Sequence, residues 1–333
     1  MRKHLLFVAL MLLMATLYSH ASDASTMRPD LHKVFFLDVQ HGYALGSLPE
    51  AEIVFKTSDG GKSWVAVYQR KPALIGIYFR NPDQGWIVGR EGSILSTIDG
   101  GKTWSDLASG TDQDLLAIAS NSDREIFVVG RRGTFLKSDR NGKTWFKQAV
   151  PTVVDLTDVA LLPNGLLQVL GRDRLLTSAD FGTTWITHGP YRWDTLFELA
   201  VVNEKTIFLN SSALLQTRDG GNTLHLVHLP SNEYVARVWV TDVKTEYVIV
   251  GRVTTGSTIH LSGEKLPSHS SILKTTDDGQ TWRQLLHLQD KMTHSAWLKD
   301  IFFVGDHGWA VGDEGTIVYT EDAGKTWQRG RIP

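Results

Sequence analysis

From Leu31 onward the apolar positions fall in short runs of strand length, separated by polar turns. The clearest unit spans about forty residues. Leu74 to Phe79 (LIGIYF) is an apolar run fit for a buried inner strand. Gly85 to Arg90 (GWIVGR) is a second strand, and Gly92 to Ile98 (GSILSTI) alternates apolar and polar residues as a third should. Thr103 to Leu107 (TWSDL) is the fourth and outermost. The pattern predicts four antiparallel strands per unit, which is the blade of a propeller.

One phrase recurs between the third and fourth strands. It reads TSDGGKSW at 57–64, then TIDGGKTW (97–104), SDRNGKTW (138–145), SADFGTTW (178–185), TRDGGNTL (217–224), TTDDGQTW (275–282) and TEDAGKTW (320–327). The third position of each copy falls at 59, 99, 140, 180, 219, 277 and 322. A period near forty with strand-like flanks marks one copy per blade. The expected fold is an all-β, seven-bladed propeller with four-stranded antiparallel blades, occupying 31–333 as one domain. LHKVFF (31–36) is then the inner strand of blade one, and TWQRG (326–330) the outer strand of blade seven. A strand exchanged between the termini stays open.

The phrase resembles the Asp-box. Its Asp accepts hydrogen bonds from its own turn, its glycines permit positive φ, and its Trp supplies packing surface. Asp59, Asp99, Asp180, Asp219, Asp277 and Asp322 are therefore read as structural. Seven near-equivalent copies cannot all be one active site. Two copies depart: Arg140 takes the formal Asp position in blade three, and Leu224 replaces Trp in blade five.

A second repeat lies in the turn between the second and third strands. Val88-Gly89-Arg90 returns as Val129-Gly130-Arg131, Leu170-Gly171-Arg172 and Val250-Gly251-Arg252. Asn210 and Asp313 hold equivalent sites, Ser47 a related one, and Arg172 is offset as if blade four had lost a residue. Alternating strand direction puts these turns on the face opposite the Asp turns. Arg90, Arg131, Arg172 and Arg252, with Arg132 and Arg174 nearby, would then ring that face as a partner-binding site. Guanidinium groups suit carboxylates and phosphates. A set of solvated turn residues is the plain alternative. The long interval before Asp277 is explained by an insertion at 253–270, expected as a loop or hairpin on the arginine face.

Composition narrows the setting. Residues 1–21 read as a secretory signal peptide: basic Arg2, Lys3 and His4, an apolar run from Leu5 to Leu17, then Ser19-His20-Ala21. A short segment, 22–30, follows. The chain has no cysteine, so neither disulfides nor thiolate chemistry enter. Without Arg2 and Lys3 the balance is 32 basic to 36 acidic residues, which speaks against a general nucleic-acid binder. No later segment is apolar enough to cross a membrane. A periplasmic monomer without cofactor or metal is expected, with secretion as the alternative. His287, His294 and His307 show no metal-ligand spacing. Trp193, Trp239 and Trp297 are read as core or blade contacts.

GWIVGREGSILSTIDGGKTW (85–104), echoed by GWAVGDEGTIVYTEDAGKTW (308–327), resembles the photosystem II stability/assembly factor family. The resemblance covers essentially the whole mature chain. It implies a seven-bladed, non-enzymatic chaperone that holds a membrane-protein client at an arginine-rich face. By position, Arg90, Arg131, Arg172 and Arg252 match that family's Gly-Arg turns, whereas Ser47, Asn210, Asp313 and the blade-six insertion depart from it. The expected function is binding of a protein partner, assisting assembly or stability of a membrane complex. The alternative is a sialidase-like glycoside hydrolase, since such enzymes also carry Asp-boxes and arginines. Its best acids here are Asp313 and Glu314, but the only Arg-Ile-Pro lies at 331–333 rather than near the start. A purely structural or adhesive propeller is a third reading.

Overall fold

The computed structural model describes residues 28–333 except 72, 121–124, 140, 193–194, 212, 231–232, 243, 253–268 and 290–296. The signal-peptide expectation therefore lies outside the described residues. The described strands form seven four-stranded antiparallel sheets, each made of four consecutive strands. They cover 30–70, 74–107, 115–147, 156–188, 198–226, 234–289 and 298–329. The first strands of successive sheets pack side by side in a closed circle. The fold is an all-β, seven-bladed propeller.

Each sheet is local in sequence, so among the described residues no strand is exchanged between the termini. The ring closes through backbone bonds instead. Trp64 N–H donates to Arg331 O at 2.9 Å, Arg331 N–H to Lys62 O at 3.0 Å, and Gly315 N–H to Pro29 O at 2.7 Å.

The repeated turns share one geometry. In blade two, Asp99 Oδ1 accepts from Thr97 Oγ1 at 2.8 Å and from Thr103 N–H at 2.9 Å, while Gly101 N–H donates to Thr97 Oγ1 at 2.9 Å. The same bonds recur about Asp59, Asp180, Asp219, Asp277 and Asp322. Blade three corrects the register expected there. Asp139, one residue before Arg140, takes the role and accepts from Lys143 N–H at 2.9 Å and Thr144 N–H at 3.4 Å. Arg140 itself lies outside the described residues.

These turns also join the blades. An aromatic residue near the start of a blade's second strand reaches the next blade's turn. Tyr43 donates to Gly100 O at 2.9 Å, Trp86 to Gly142 O at 2.8 Å and Trp309 to Gly60 O at 2.7 Å. Trp309 also stacks on Phe36, with ring centroids 3.5 Å apart, and Tyr43 on Phe79 at 3.9 Å. This close approach explains a turn glycine. Gly61 has φ +86, and a Cβ there would lie 2.7 Å from the Trp309 ring.

Trp309 is 1 % exposed and spans the seam that closes the ring. Trp309→Ala should cost about 3–5 kcal/mol, read as a lowered urea midpoint, whereas a surface Trp would cost far less. Acid should act through the turn carboxylates. Those of Asp99, Asp180, Asp277 and Asp322 are held down at about 2. The foremost causes are the Thr103 hydroxyl, the Thr184 N–H, the Thr275 hydroxyl and the Thr326 N–H respectively. Their folded values lie below the unfolded ones, so the stability they confer is present above about pH 4 and lost as pH falls towards 2. Potentiometric acid titration should show Asp322→Asn taking up about one proton fewer on unfolding across that window.

Candidate functional site

The Gly-Arg turns emerge at the blade ends opposite the Asp turns, because each strand between them reverses direction. In blades two, three and seven this turn is one turn of 3₁₀ helix: Arg90–Gly92, Arg131–Gly133 and Asp313–Gly315. The middle residue, Glu91, Arg132 or Glu314, has φ between 52° and 56°. Its N–H is held by an aspartate that precedes the next blade's inner strand. Glu91 donates to Asp114 at 3.2 Å, Arg132 to Asp155 at 2.9 Å and Glu314 to Asp30 at 3.0 Å. Blade four lacks the extra residue: Gly171 pairs directly with Arg174, leaving Arg172 and Asp173 as the turn.

The same aspartates hold the arginines. Arg131 Nε lies 3.0 Å from Asp114, Arg172 Nε 3.2 Å from Asp155, and Arg131 Nη1 3.9 Å from Asp155. Asp155 thus stands between two exposed guanidinium groups and fixes their spacing. Each keeps further N–H donors for a second carboxylate. Arg90 and Arg132 are exposed and form no ion pair among the described residues. Arg174 differs: it folds onto its neighbour Asp173, with Nε 2.7 Å from one carboxylate oxygen. Val153, 84 % exposed, lies against the Arg131–Gly133 turn, its Cα 3.2 Å from where a Cβ at Gly133 would sit.

The arginines whose side chains are described form an arc over blades two to four. Blade seven presents Asp313 and Glu314 at the equivalent place, with Asp313 2.5 Å from Lys299 Nζ. In blade five the expected equivalent, Asn210, is not in the turn: it is buried at the end of the second strand and pairs with Leu214, as Val88 pairs with Ile94 in blade two. Arg252 ends the strand Glu246–Arg252 on the same face, paired in register with His269. The expected insertion at 253–270 is shorter than read from the sequence. His269 and Ser270 belong to the strand His269–Thr275, and 253–268 lie outside the described residues.

A second charged cluster escaped the sequence reading. It occupies one position on each inner strand, two residues after the first buried apolar residue: Lys33, Gly76, Ala117, Asp158, Glu198, Arg237 and Asp300. A bulge beside most of these positions re-aims the strand. Arg237 Nε lies 2.8 Å from Glu198 and 2.6 Å from Asp300, and Lys33 Nζ 3.7 Å from Asp300. The acids also bind the next blade: Asp158 accepts from Leu199 N–H at 3.0 Å, Glu198 from Val238 N–H at 3.2 Å and Asp300 from Val34 N–H at 2.8 Å. Burial pushes the Glu198 carboxyl up to about 7 against the pull of Arg237. Aligning the seven inner strands would have exposed this column of charges.

Among the described residues no group of three or more His, Cys, Asp or Glu is arranged to hold a metal ion. His294 and Trp193 lie outside them. His287 accepts or donates a 2.9 Å bond with Ser271, and His307 stacks near Trp309. Trp239 packs on Phe302 and Trp297 on Tyr234.

Fold and site together define a seven-bladed propeller with structural Asp turns on one face and an arginine arc on the other. The family model for photosynthesis system II assembly factor YCF48 matches residues 65–153 and 260–332. Over these two stretches, just under half of its length, the chain is similar to this photosystem II assembly factor family. A solved structure described as YCF48 bound to D1 peptide superposes with TM-score 0.65 and 18 % identity, over 88 % of this chain and 92 % of that one. YCF48 from Cyanidioschyzon merolae gives TM-score 0.65 and 17 % identity, over 88 % and 96 %. An ancestral GH74 enzyme gives TM-score 0.67 and 13 % identity, over 91 % of this chain but 46 % of its own. At these identities the superpositions speak to the fold alone. No curated protein sequence matches.

The column of inner-strand charges has a direct test. Arg237→Ala strands Glu198 and Asp300 without their cation and should cost about 3–5 kcal/mol in chemical denaturation. Glu198→Gln, which keeps an acceptor for Val238 N–H, should cost clearly less; equal costs would mean that Arg237 acts by packing alone.

Proposed function

We propose that this chain is an exported, non-enzymatic propeller that binds an exposed segment of a membrane protein at its arginine arc. It assists assembly or stability of that complex from the periplasm. The observation that carries this reading is the placement of Arg131 and Arg172 about Asp155, with Arg90 and Arg132 alongside. A carboxylate-bearing segment meets several planar donors held at fixed spacing, and Val153 offers an apolar contact beside them. The likeness to a YCF48 captured with a D1 peptide supports a peptide client. The client of this chain is proposed only as a membrane-protein segment of acidic character.

The hydrolase alternative is disfavoured by the site. Asp313 and Glu314 are adjacent in one turn; Asp313 faces Lys299, and the Glu314 backbone is fixed by Asp30. A glycosidase needs two carboxyls facing each other across a sugar.

Affinity capture from solubilised envelope tests the proposal. A fourfold variant with Ala at Arg90, Arg131, Arg172 and Arg252, first shown to fold, should lose a membrane protein that the wild type retains. Equal capture by both would move the binding surface elsewhere.

A further inference from the structure

The seam between blades five and six is built differently from its neighbours. Blades one, two, six and seven carry Tyr43, Trp86, Tyr247 and Trp309 at the position that donates to the next turn. Blade five carries Phe208 there, which has no donor. A clasp replaces the missing bond. Gln216 Nε2 donates to Asp278 Oδ1 at 2.7 Å, and Arg218 pairs with the other oxygen of Asp278. Asp278 sits in blade six's turn with φ 62, its N–H donating to Lys244 O at 3.2 Å.

Glu246 lies beside this clasp. It opens the strand Glu246–Arg252 and is 0 % exposed. Neither of its carboxyl oxygens has a hydrogen-bond partner among the described residues. Blades one, two and seven place Gly42, Gly85 and Gly308 at this site, where a Cβ would strike Phe36, Phe79 or Phe303 at 2.6, 2.5 or 2.2 Å. In blade six the cross-strand partner is the smaller Val240, which leaves room for a side chain. Blades one, two and seven fill that room with an aromatic ring; blade six holds an acid there.

The groups that face Glu246 are mostly of its own sign. Asp242 comes from the turn after Tyr234–Val240, Asp277 and Asp278 from blade six's repeat turn, and Arg218 opposes them from blade five. An unpaired carboxylate in a dry site costs far more than the neutral acid.

We propose that Glu246 is a proton-controlled latch on the blade five–six seam. As the neutral acid it sits quietly next to the Asp278 clasp. Once ionised it repels Asp278, Asp277 and Asp242 and loosens the clasp. The strand Glu246–Arg252 carries the disturbance from this face to the arginine face.

Burial, followed by those three carboxylates, pushes its titration up to about 8, well above its ordinary 4.5. The folded protein therefore holds a proton that the unfolded chain has released. The stability linked to this group is complete below about pH 4.5 and is lost as pH rises through about 8.

The test is the urea midpoint of the mature protein at pH 5 to 9, alongside Glu246→Gln and Asp242→Asn. Hydrogen exchange of 246–252 and 269–275 is followed in the same samples. In the wild type the unfolding constant should rise by up to about tenfold per pH unit from this group, and Glu246→Gln should remove that slope. Asp242→Asn, which leaves the clasp intact, should end the slope at a lower pH and shrink the total loss, because it removes one repelling charge. Exchange in the blade-six strands should quicken with pH beyond the intrinsic rate, while 85–89 stays protected. Equal slopes in wild type and Glu246→Gln, or blade-six exchange that tracks blade two, would overturn the proposal. Should Glu246→Gln fail to fold, the Asp242→Asn shift decides it: no shift overturns the latch.

Discussion

The structure depends on the bond by which one blade's aromatic side chain reaches the backbone of the next blade's repeat turn. The aspartate inside each turn makes that bond available. By accepting from the N–H four residues on and from the turn's hydroxyls, it holds glycine carbonyls outward at a fixed place. Trp309 and Gly60 use this device to close a ring that has no exchanged strand among the described residues. Each blade is local in sequence, so the long-range order lives almost entirely in these seams. A propeller of this design gains edge protection from closure rather than from disulfides, which suits a chain without cysteine.

Much of this was legible in the residues. A repeat near forty, with strand periodicity about it, fixed the blade count and the alternation of turns between faces. What the repeat could not tell is where side-chain charge is cancelled. Arg131 and Arg172 are visible as a motif, but Asp114 and Asp155 belong to a different part of the unit, and only the fold brings them together. That pairing gives the arginines of blades three and four a defined spacing. Arg140 illustrates another limit: position in a repeat suggested the wrong residue, because Asp139 can still reach the backbone donors of its own turn. The inner-strand charges were hidden for a simpler reason, since each appears as a single polar residue in an apolar run.

Departures from the repeat cluster in blades four to six. Blade four shortens its Gly-Arg turn, blade five loses its Trp and its donor, and blade six replaces a glycine with buried Glu246. The arginine arc instead occupies blades two to four, and the first stretch of the family match covers blades two and three but ends at residue 153, before blade four. A regular half is thus joined to an irregular half that carries the chain's own charge chemistry. The column formed by Lys33, Asp158, Glu198, Arg237 and Asp300 spans the same irregular half and ties it back to blade one.

The central claim is that partners engage the arginine arc rather than the Asp-turn face. Hydrogen–deuterium exchange of the protein alone and with its captured membrane partner tests this directly. Protection confined to the segments around 90–92, 131–133 and 172–174 is the predicted result. Protection of the repeat turns near 59–64, 99–104 and 322–327, with the arginine segments unchanged, would contradict it.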